Sequence, residues 1–101
     1  MLQITKRQSL YGQKVCAFLQ VVLKQQARLI ESGNCEYNES LMRELVSKYS
    51  AYRNYKFTDT GAAIFIKKHF SNLQMLIPRQ QLSSLQVLKE LEYRSDILLN
   101  H

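Results

Sequence analysis

Residues that form tight turns are scarce in this chain of 101 residues, which contains one proline, three glycines and no tryptophan. A domain built from many short strands needs glycine and proline in its turns, so the scarcity argues against an all-β or loop-rich fold. The chain is instead rich in leucine, glutamine, lysine, arginine and glutamate, which are good helix formers. Its 46% hydrophobic and 22% charged residues are typical of a folded globular protein rather than a disordered one.

Long apolar runs are also missing. The two most apolar segments, VCAFL (15–19) and AAIFI (62–66), are far shorter than the ~20 residues that a membrane-spanning helix needs. The opening segment, MLQITKRQS, lacks the continuous apolar stretch of a secretory signal. Two cysteines, Cys16 and Cys35, are few for a small secreted scaffold held by disulfides. We therefore expect two reduced thiols in a cytoplasmic protein.

Patterns that carry catalysis or metal binding are absent from the sequence. It contains no glycine-rich phosphate loop, no GxSxG motif, and neither the HExxH nor the CxxC spacing of a zinc site. No cysteine or acid stands three or four positions from His69. We interpret His69 as a residue at the edge of the core, hydrogen-bonded to a tyrosine or a carbonyl group. The sequence thus predicts no catalytic residue, no metal ligand and no cofactor, and a protein that is not an enzyme.

The net charge of +6 at pH 7 is unevenly distributed. Residues 1–30 hold five bases and no acid, residues 31–44 are mainly acidic, and residues 45–89 carry seven bases against Asp59 alone. Such an imbalance suits an anionic partner, and nucleic acid, a phospholipid surface and an acidic protein all qualify. The charge pattern does not choose among them.

Apolar residues at helical spacing predict four amphipathic helices, over about residues 10–32, 39–54, 60–77 and 80–99. Gly33 suits the left-handed conformation that ends a helix, while Asn38 suits the N-cap of the second helix. Thr58 or Asp59 is the expected N-cap of the third helix, and Pro78 is expected to end it. Short connections between amphipathic helices favour antiparallel neighbours. The predicted fold class is therefore all-α, an antiparallel up-and-down four-helix bundle that forms a single domain over residues 1–101.

The segment KYSAYRNYK (48–56) interleaves bases with tyrosines, as proteins that bind single-stranded nucleic acids do. In the interpretation that we favour, Tyr49 and Tyr52 close the core with their hydroxyls at its rim, and the bases are solvated. A helix-turn-helix needs a tight turn, and the predicted joint between the second and third helices is longer than that. A small basic nucleic-acid-binding regulator nevertheless stays open as the alternative function.

Residues 35–74 combine an L-(I/M)-x-x-L-V start, an aromatic-rich helix end, a K-F-T or R-F-T linker, and a helix with bases ahead of an apolar position. The residues concerned are Leu41, Met42, Leu45 and Val46; Tyr49, Tyr52 and Tyr55; Lys56, Phe57 and Thr58; and Lys67 and Lys68. With these features the segment resembles the enterocin A/pediocin-like bacteriocin immunity proteins. The length, the basic charge and the four predicted helices are also similar to that family.

The resemblance implies a cytoplasmic four-helix bundle that can lie against the inner face of the cell membrane. Members of the family protect the cell from a pore-forming peptide whose receptor is the membrane part of the mannose phosphotransferase permease. The implied partner is therefore the bacteriocin–permease complex. In the family, the C-terminal half governs which toxin is countered, so the resemblance places recognition on the third and fourth helices. The present sequence differs from the family at its end, where LEYRSDILLNH (91–101) is apolar enough to remain helical.

A basic face on the C-terminal half is the candidate partner-binding surface. We predict that it consists of Lys67, Lys68, Arg79, Lys89 and Arg94. Such a face suits the anionic inner leaflet of a membrane or an acidic loop of the permease.

Overall fold

Four α-helices form the regular structure of residues 8–100, which are the residues that the computed structural model of the chain describes. They are α1 (Leu10–Glu31), α2 (Glu39–Ser50), α3 (Asp59–Met75) and α4 (Leu82–Leu99). No strand occurs among these residues. Helix α1 packs against each of the other three helices, and the most extensive contact joins α3 to α4. The predicted all-α fold is confirmed, and the packing is that of a four-helix bundle.

Contacts near the ends of the helices show how their directions alternate. The start of α1 lies beside the second half of α4, where the Tyr11 hydroxyl donates a hydrogen bond of 2.7 Å to the carbonyl oxygen of Leu91 and is also hydrogen-bonded to the hydroxyl of Ser95. The first half of α1 also lies beside the residues that follow α2, since the Cys16 thiol donates a hydrogen bond of 3.1 Å to the carbonyl oxygen of Tyr55. Helix α1 is therefore antiparallel to both α2 and α4.

The connection between α2 and α3 crosses the start of α1 at very short range. A Cβ atom added to Gly12 would lie 2.8 Å from both the Cβ atom and the carbonyl oxygen of Phe57. The same carbonyl accepts a hydrogen bond of 3.0 Å from the backbone N–H of Ser9. Glycine at position 12 thus allows the two backbones to approach, and it brings the starts of α1 and α3 together.

Local residue chemistry sets most helix ends as predicted. Gly33 has a φ angle of +78°, the left-handed conformation in which glycine carries no steric cost. The side chains of Asn38 and Thr58 each accept a hydrogen bond of 3.1 Å from the backbone N–H three residues later. Ser9 caps α1 in the same way at 2.8 Å. The predicted caps at Asn38 and Thr58 are confirmed.

The predicted end of the second helix, near residue 54, is wrong because α2 ends at Ser50. Beyond it, the N–H of Tyr52 bonds to the carbonyl of Tyr49 at 3.0 Å, and the N–H of Arg53 bonds to that of Ser50 at 3.3 Å. These bonds span three residues rather than four, so the chain tightens into successive turns. The tyrosine spacing fits both an α-helix and these turns, so the sequence pattern predicted a longer helix than the one observed.

Two boundaries around Pro78 also differ from the prediction. Helix α3 ends at Met75 instead of residue 77, because the residue before a proline is disfavoured in helical geometry. Helix α4 begins at Leu82 instead of residue 80. The intervening residues form a turn closed by a hydrogen bond of 2.9 Å from the N–H of Gln81 to the carbonyl of Pro78.

The core runs through the middle of the bundle and draws on every helix. Its completely buried aliphatic side chains include Val15, Leu19, Val22, Met42, Ile66, Leu73, Leu76 and Leu88. Burial of one such side chain contributes about 1.5 to 3 kcal/mol, so the shared core holds the four amphipathic helices together.

Within residues 8–100, the helices are too short or too polar for any of them to cross a membrane.

Candidate partner-binding surface

Lys67, the first residue of the predicted basic face, lies on the side of α3 that faces α4. Its Nζ atom is 2.8 Å from an Oδ1 oxygen of Asp96 and 3.8 Å from an Oε2 oxygen of Glu92. The hydrogen bond to Asp96 raises the pKa of Lys67 above its ordinary value of 10.5. Two carboxylates of α4 therefore compensate the charge of this lysine.

Arg79 lies in the turn between α3 and α4, and its charge is compensated as well. Its Nε atom is 3.5 Å from an Oε2 oxygen of Glu36, which belongs to the loop between α1 and α2. This ion pair ties the two loops at the same end of the bundle. The side chain of Arg79 is 78% exposed, so solvent screens this ion pair strongly.

The other three predicted residues, Lys68, Lys89 and Arg94, are exposed. Within the part of the chain that the structure describes, no carboxylate lies within 4.0 Å of the charged groups of Lys68, Lys89 or Arg94. Lys89 and Arg94 are five positions apart on α4, which corresponds to about 140° around a helix. The five predicted bases therefore include two, Lys89 and Arg94, that lie on separate stripes of α4. Their role in binding a partner stays a prediction.

His69 is hydrogen-bonded to a tyrosine, as the sequence predicted. Its Nδ1 atom lies 2.8 Å from the hydroxyl of Tyr49, which also accepts a hydrogen bond of 3.0 Å from Asn72. Burial, with smaller contributions from Lys48 and Lys68, lowers the pKa of His69 below 6.5. The ring is accordingly neutral at pH 7, and Nδ1 can accept the proton of the Tyr49 hydroxyl.

Tyr49 and Tyr52 belong to an aromatic cluster where α2, its following turns and α3 meet. The ring of Tyr52 lies 4.8 Å from that of Phe65, and the ring of Tyr55 lies 4.7 Å from that of Phe57. Tyr49 is completely buried. The packing of Tyr49 against the core agrees with the interpretation that we favoured, but its hydroxyl lies inside the protein rather than at the rim.

The two cysteines are unpaired, as expected, and they lie in different surroundings. Cys16 is buried, and burial raises the pKa of its thiol above 9.0. The thiol lies 3.4 Å from the carbonyl oxygen of Tyr52, to which it donates, and receives a hydrogen bond from Gln8 at 3.0 Å. Cys16 therefore satisfies backbone groups after α2. Within residues 8–100, histidine, cysteine and acidic side chains form no group of three that could hold a metal ion.

A second basic surface, which we did not predict, lies on α1. One stripe of this helix is exposed throughout; we call it the α1 outer face, and it consists of Leu10, Lys14, Ala17, Val21, Lys24 and Arg28. Steps of four and three residues keep its members on one side of a helix. The signal for it was present in the sequence, because residues 1–30 contain no acid.

Beside this face, an open groove of about 630 Å³ lies between α1 and the end of α2. Leu23 and Val46 contribute apolar side chains to it, and Lys24 and Arg53 contribute positive charge. Among residues 8–100, no acidic residue lines the groove. The positive character of the α1 outer face thus extends toward the end of α2.

The starts of the helices bear on the nucleic-acid alternative. A helix-turn-helix protein reads bases with side chains at the N-terminus of its recognition helix. The first four residues are ESLM in α2, DTGA in α3 and LSSL in α4, so none contributes a lysine or an arginine. Base reading by these helix starts therefore has no support from the residues present.

Comparisons of the chain with protein-family models, with curated proteins and with solved structures found no match. The resemblance to the bacteriocin immunity proteins consequently stays a prediction that rests on the residues of the sequence.

Proposed function

We propose that this protein is a bacteriocin immunity protein. In this function it is a cytoplasmic helical bundle that protects the cell from a pore-forming pediocin-like peptide. It engages the toxin–permease complex at the inner face of the membrane and acts by binding, with no chemical step.

The K-F-T linker between α2 and α3 is the observation that carries this proposal. Phe57 is buried against Gly12 and belongs to the aromatic cluster, while Thr58 caps α3. Lys56 is exposed. Two of the three positions of the motif, Phe57 and Thr58, therefore have defined structural roles. The motif lies between two helices, which is the position that the linker has in the family that the sequence resembles.

The environment of the interior polar groups supports a binding function over a catalytic one. His69 is hydrogen-bonded to Tyr49, and the thiol of Cys16 is hydrogen-bonded to backbone carbonyls. No carboxylate is hydrogen-bonded to His69 among the described residues, so the imidazole has none of the orienting acid that a catalytic base commonly uses. Both groups serve to complete hydrogen bonds inside the fold.

Protection of sensitive cells tests the proposal directly. The full chain would be expressed in a sensitive lactic or streptococcal strain, which is then challenged with a panel of pediocin-like peptides. We expect survival to rise against at least one peptide of the panel. A pore-forming peptide that does not use the mannose permease is the matched control, and it should kill these cells as before. Killing by every member of the panel, in cells shown to contain folded protein, would contradict the proposal.

A nucleic-acid-binding regulator is the second candidate, and the acid-free α1 outer face is the observation that favours it. Three phosphate contacts by Lys14, Lys24 and Arg28 would give a slope of about −2.7 for log K against log salt on duplex DNA. Titration of labelled duplex and single-stranded DNA with the full chain measures this slope. Absence of binding even at low salt removes the candidate.

A further inference from the structure

We propose that the α1 outer face is a docking surface for an anionic lipid bilayer, with α1 lying in the plane of the membrane surface. This surface differs from the basic face that the sequence predicted on α3 and α4. Docking depends on the charged and aliphatic side chains that α1 exposes, so it holds whether or not the protein confers immunity.

The charge of the α1 outer face is uniform and uncompensated. Lys14, Lys24 and Arg28 are exposed, and no carboxylate of residues 8–100 lies within 4.0 Å of their charged groups. Lys14 and Arg28 are fourteen positions apart, which is about 21 Å along a helix. By contrast, Lys67 is held by two carboxylates of α4. A negatively charged surface would therefore attract α1 before it attracts α3.

Exposed aliphatic side chains distinguish a bilayer from a nucleic acid as the occupant. Leu10 is 79% exposed and Val21 is 49% exposed, and both share the stripe with the three cations. An aliphatic side chain gains nothing beside a phosphodiester, whereas the boundary of headgroups and acyl chains accommodates it. Burial of exposed apolar side chains and electrostatic attraction to anionic lipids both strengthen the binding of a helix at a membrane interface.

Ile97, an exposed apolar residue of α4, has the wrong electrostatic surroundings for such a surface. Ile97 is 40% exposed, but it follows Asp96 directly and lies on the helix that also carries Glu90 and Glu92. An anionic bilayer would repel those carboxylates. Arg53, in contrast, adds a further cation on the groove beside Lys24. α1 and the adjoining end of α2 therefore match an anionic bilayer better than this part of α4 does.

Co-sedimentation of the full chain with lipid vesicles tests the proposal. Vesicles of phosphatidylcholine alone would be compared with vesicles in which half of the lipid is phosphatidylglycerol. We expect binding to the phosphatidylglycerol vesicles alone, and we expect added salt to weaken it. The variant K14Q/K24Q/R28Q should bind roughly 100-fold more weakly, because one base near an anionic surface is worth about fivefold in affinity. No binding of the unmodified chain to these vesicles at low salt would overturn the proposal.

A second triple variant distinguishes binding by the α1 outer face from binding that depends only on the net charge of the protein. K67Q/K68Q/K89Q also removes three positive charges, but from exposed positions outside α1. We expect this variant to lose far less affinity for the vesicles than the α1 variant. Equal losses in the two variants would show that binding follows net charge, and the proposal would fall. Circular dichroism would establish that both variants keep the helical content of the unmodified chain.

A change of the aliphatic side chains identifies the occupant. Leu10→Ser with Val21→Ser leaves every charge in place, so we expect weaker vesicle binding and unchanged binding to duplex DNA. Vesicle binding that stays unchanged while K14Q/K24Q/R28Q loses DNA binding would overturn the proposal in favour of a nucleic acid.

Discussion

Two connections of nearly equal length are built in opposite ways. The α2–α3 connection, residues 51–58, places Phe57 in the core and its backbone against Gly12. The α1–α2 connection, residues 32–38, is exposed except for the half-buried Cys35. It is held by the surface pair of Glu36 and Arg79 and by the cap of Asn38. The comparison teaches that packing fixes the α2–α3 connection, whereas the α1–α2 connection depends on weak polar contacts.

Removal of the Phe57 ring should have the largest effect on stability. Phe57→Ala empties a buried site in the aromatic cluster, so we expect the free energy of unfolding to fall by about 3 to 5 kcal/mol. Urea titration followed by circular dichroism measures it. Tyr37→Ala in the α1–α2 connection is the control, and the loss there should stay below about 1 kcal/mol because Tyr37 is exposed. Similar losses of unfolding free energy in the two variants would show that the two connections contribute equally to stability.

A methyl group at position 12 should have the next largest effect. The added Cβ of Gly12→Ala meets the Cβ atom and the backbone oxygen of Phe57 at 2.8 Å, and backbone cannot move aside cheaply. We expect a loss of about 1 to 3 kcal/mol, from which the better helix propensity of alanine recovers part. Gln13→Ala, at the exposed neighbouring position, should leave the unfolding midpoint almost unchanged. A Gly12→Ala variant as stable as the unmodified chain would mean that the two backbones are not in close contact.

The pH dependence of stability should reveal His69, with a smaller effect than either packing change. Its folded-state pKa is lowered below 6.5, chiefly by burial, so the unfolded chain binds the proton more readily. The stability that neutral His69 contributes is therefore complete above pH 6.5 and is lost as the pH falls through the folded-state pKa. Unfolding free energies at about pH 7.5 and pH 5 should differ less in His69→Gln than in the unmodified chain. An equal difference in both proteins would refute the role assigned to His69.

Loss of the pair between Glu36 and Arg79 should have the smallest effect. Arg79 is largely exposed, and exposed ion pairs contribute about 0 to 1 kcal/mol. For Glu36→Gln we expect a change in this range, which salt should reduce further. Thermal unfolding at low and high salt measures both quantities. A loss comparable to that of Phe57→Ala would show that the α1–α2 connection is as tightly fixed as the α2–α3 connection.

Local chemistry made the helices predictable, and long-range contacts limited the prediction. The apolar spacing and the caps at Asn38 and Thr58 depend on neighbours in sequence, and they agree with the structure. The end of α2 was misplaced because tyrosines three apart fit both an α-helix and successive turns. The backbone of Phe57 approaches α1 so closely that position 12 must be glycine. These residues are far apart in sequence, so no local sequence pattern indicates the contact.

The charge of the candidate surface illustrates the same limit. The bases of the C-terminal half were visible in the sequence, but their compensation depends on partners far along the chain. Asp96 reaches Lys67 across the α3–α4 pair, and Glu36 reaches Arg79 across two loops. The α1 outer face was visible as a stretch without acids. The resemblance, in contrast, predicts recognition by the C-terminal half.

Survival of sensitive cells under challenge by pediocin-like peptides tests most directly whether this protein acts through its surface rather than through an interior site. Three chains would be compared at equal expression: the unmodified protein, His69→Gln and K14Q/K24Q/R28Q. The first two should protect against the same peptide, and the third should protect much less. Loss of protection in folded His69→Gln, with full protection by the α1 variant, would contradict a surface function and place the activity in the interior.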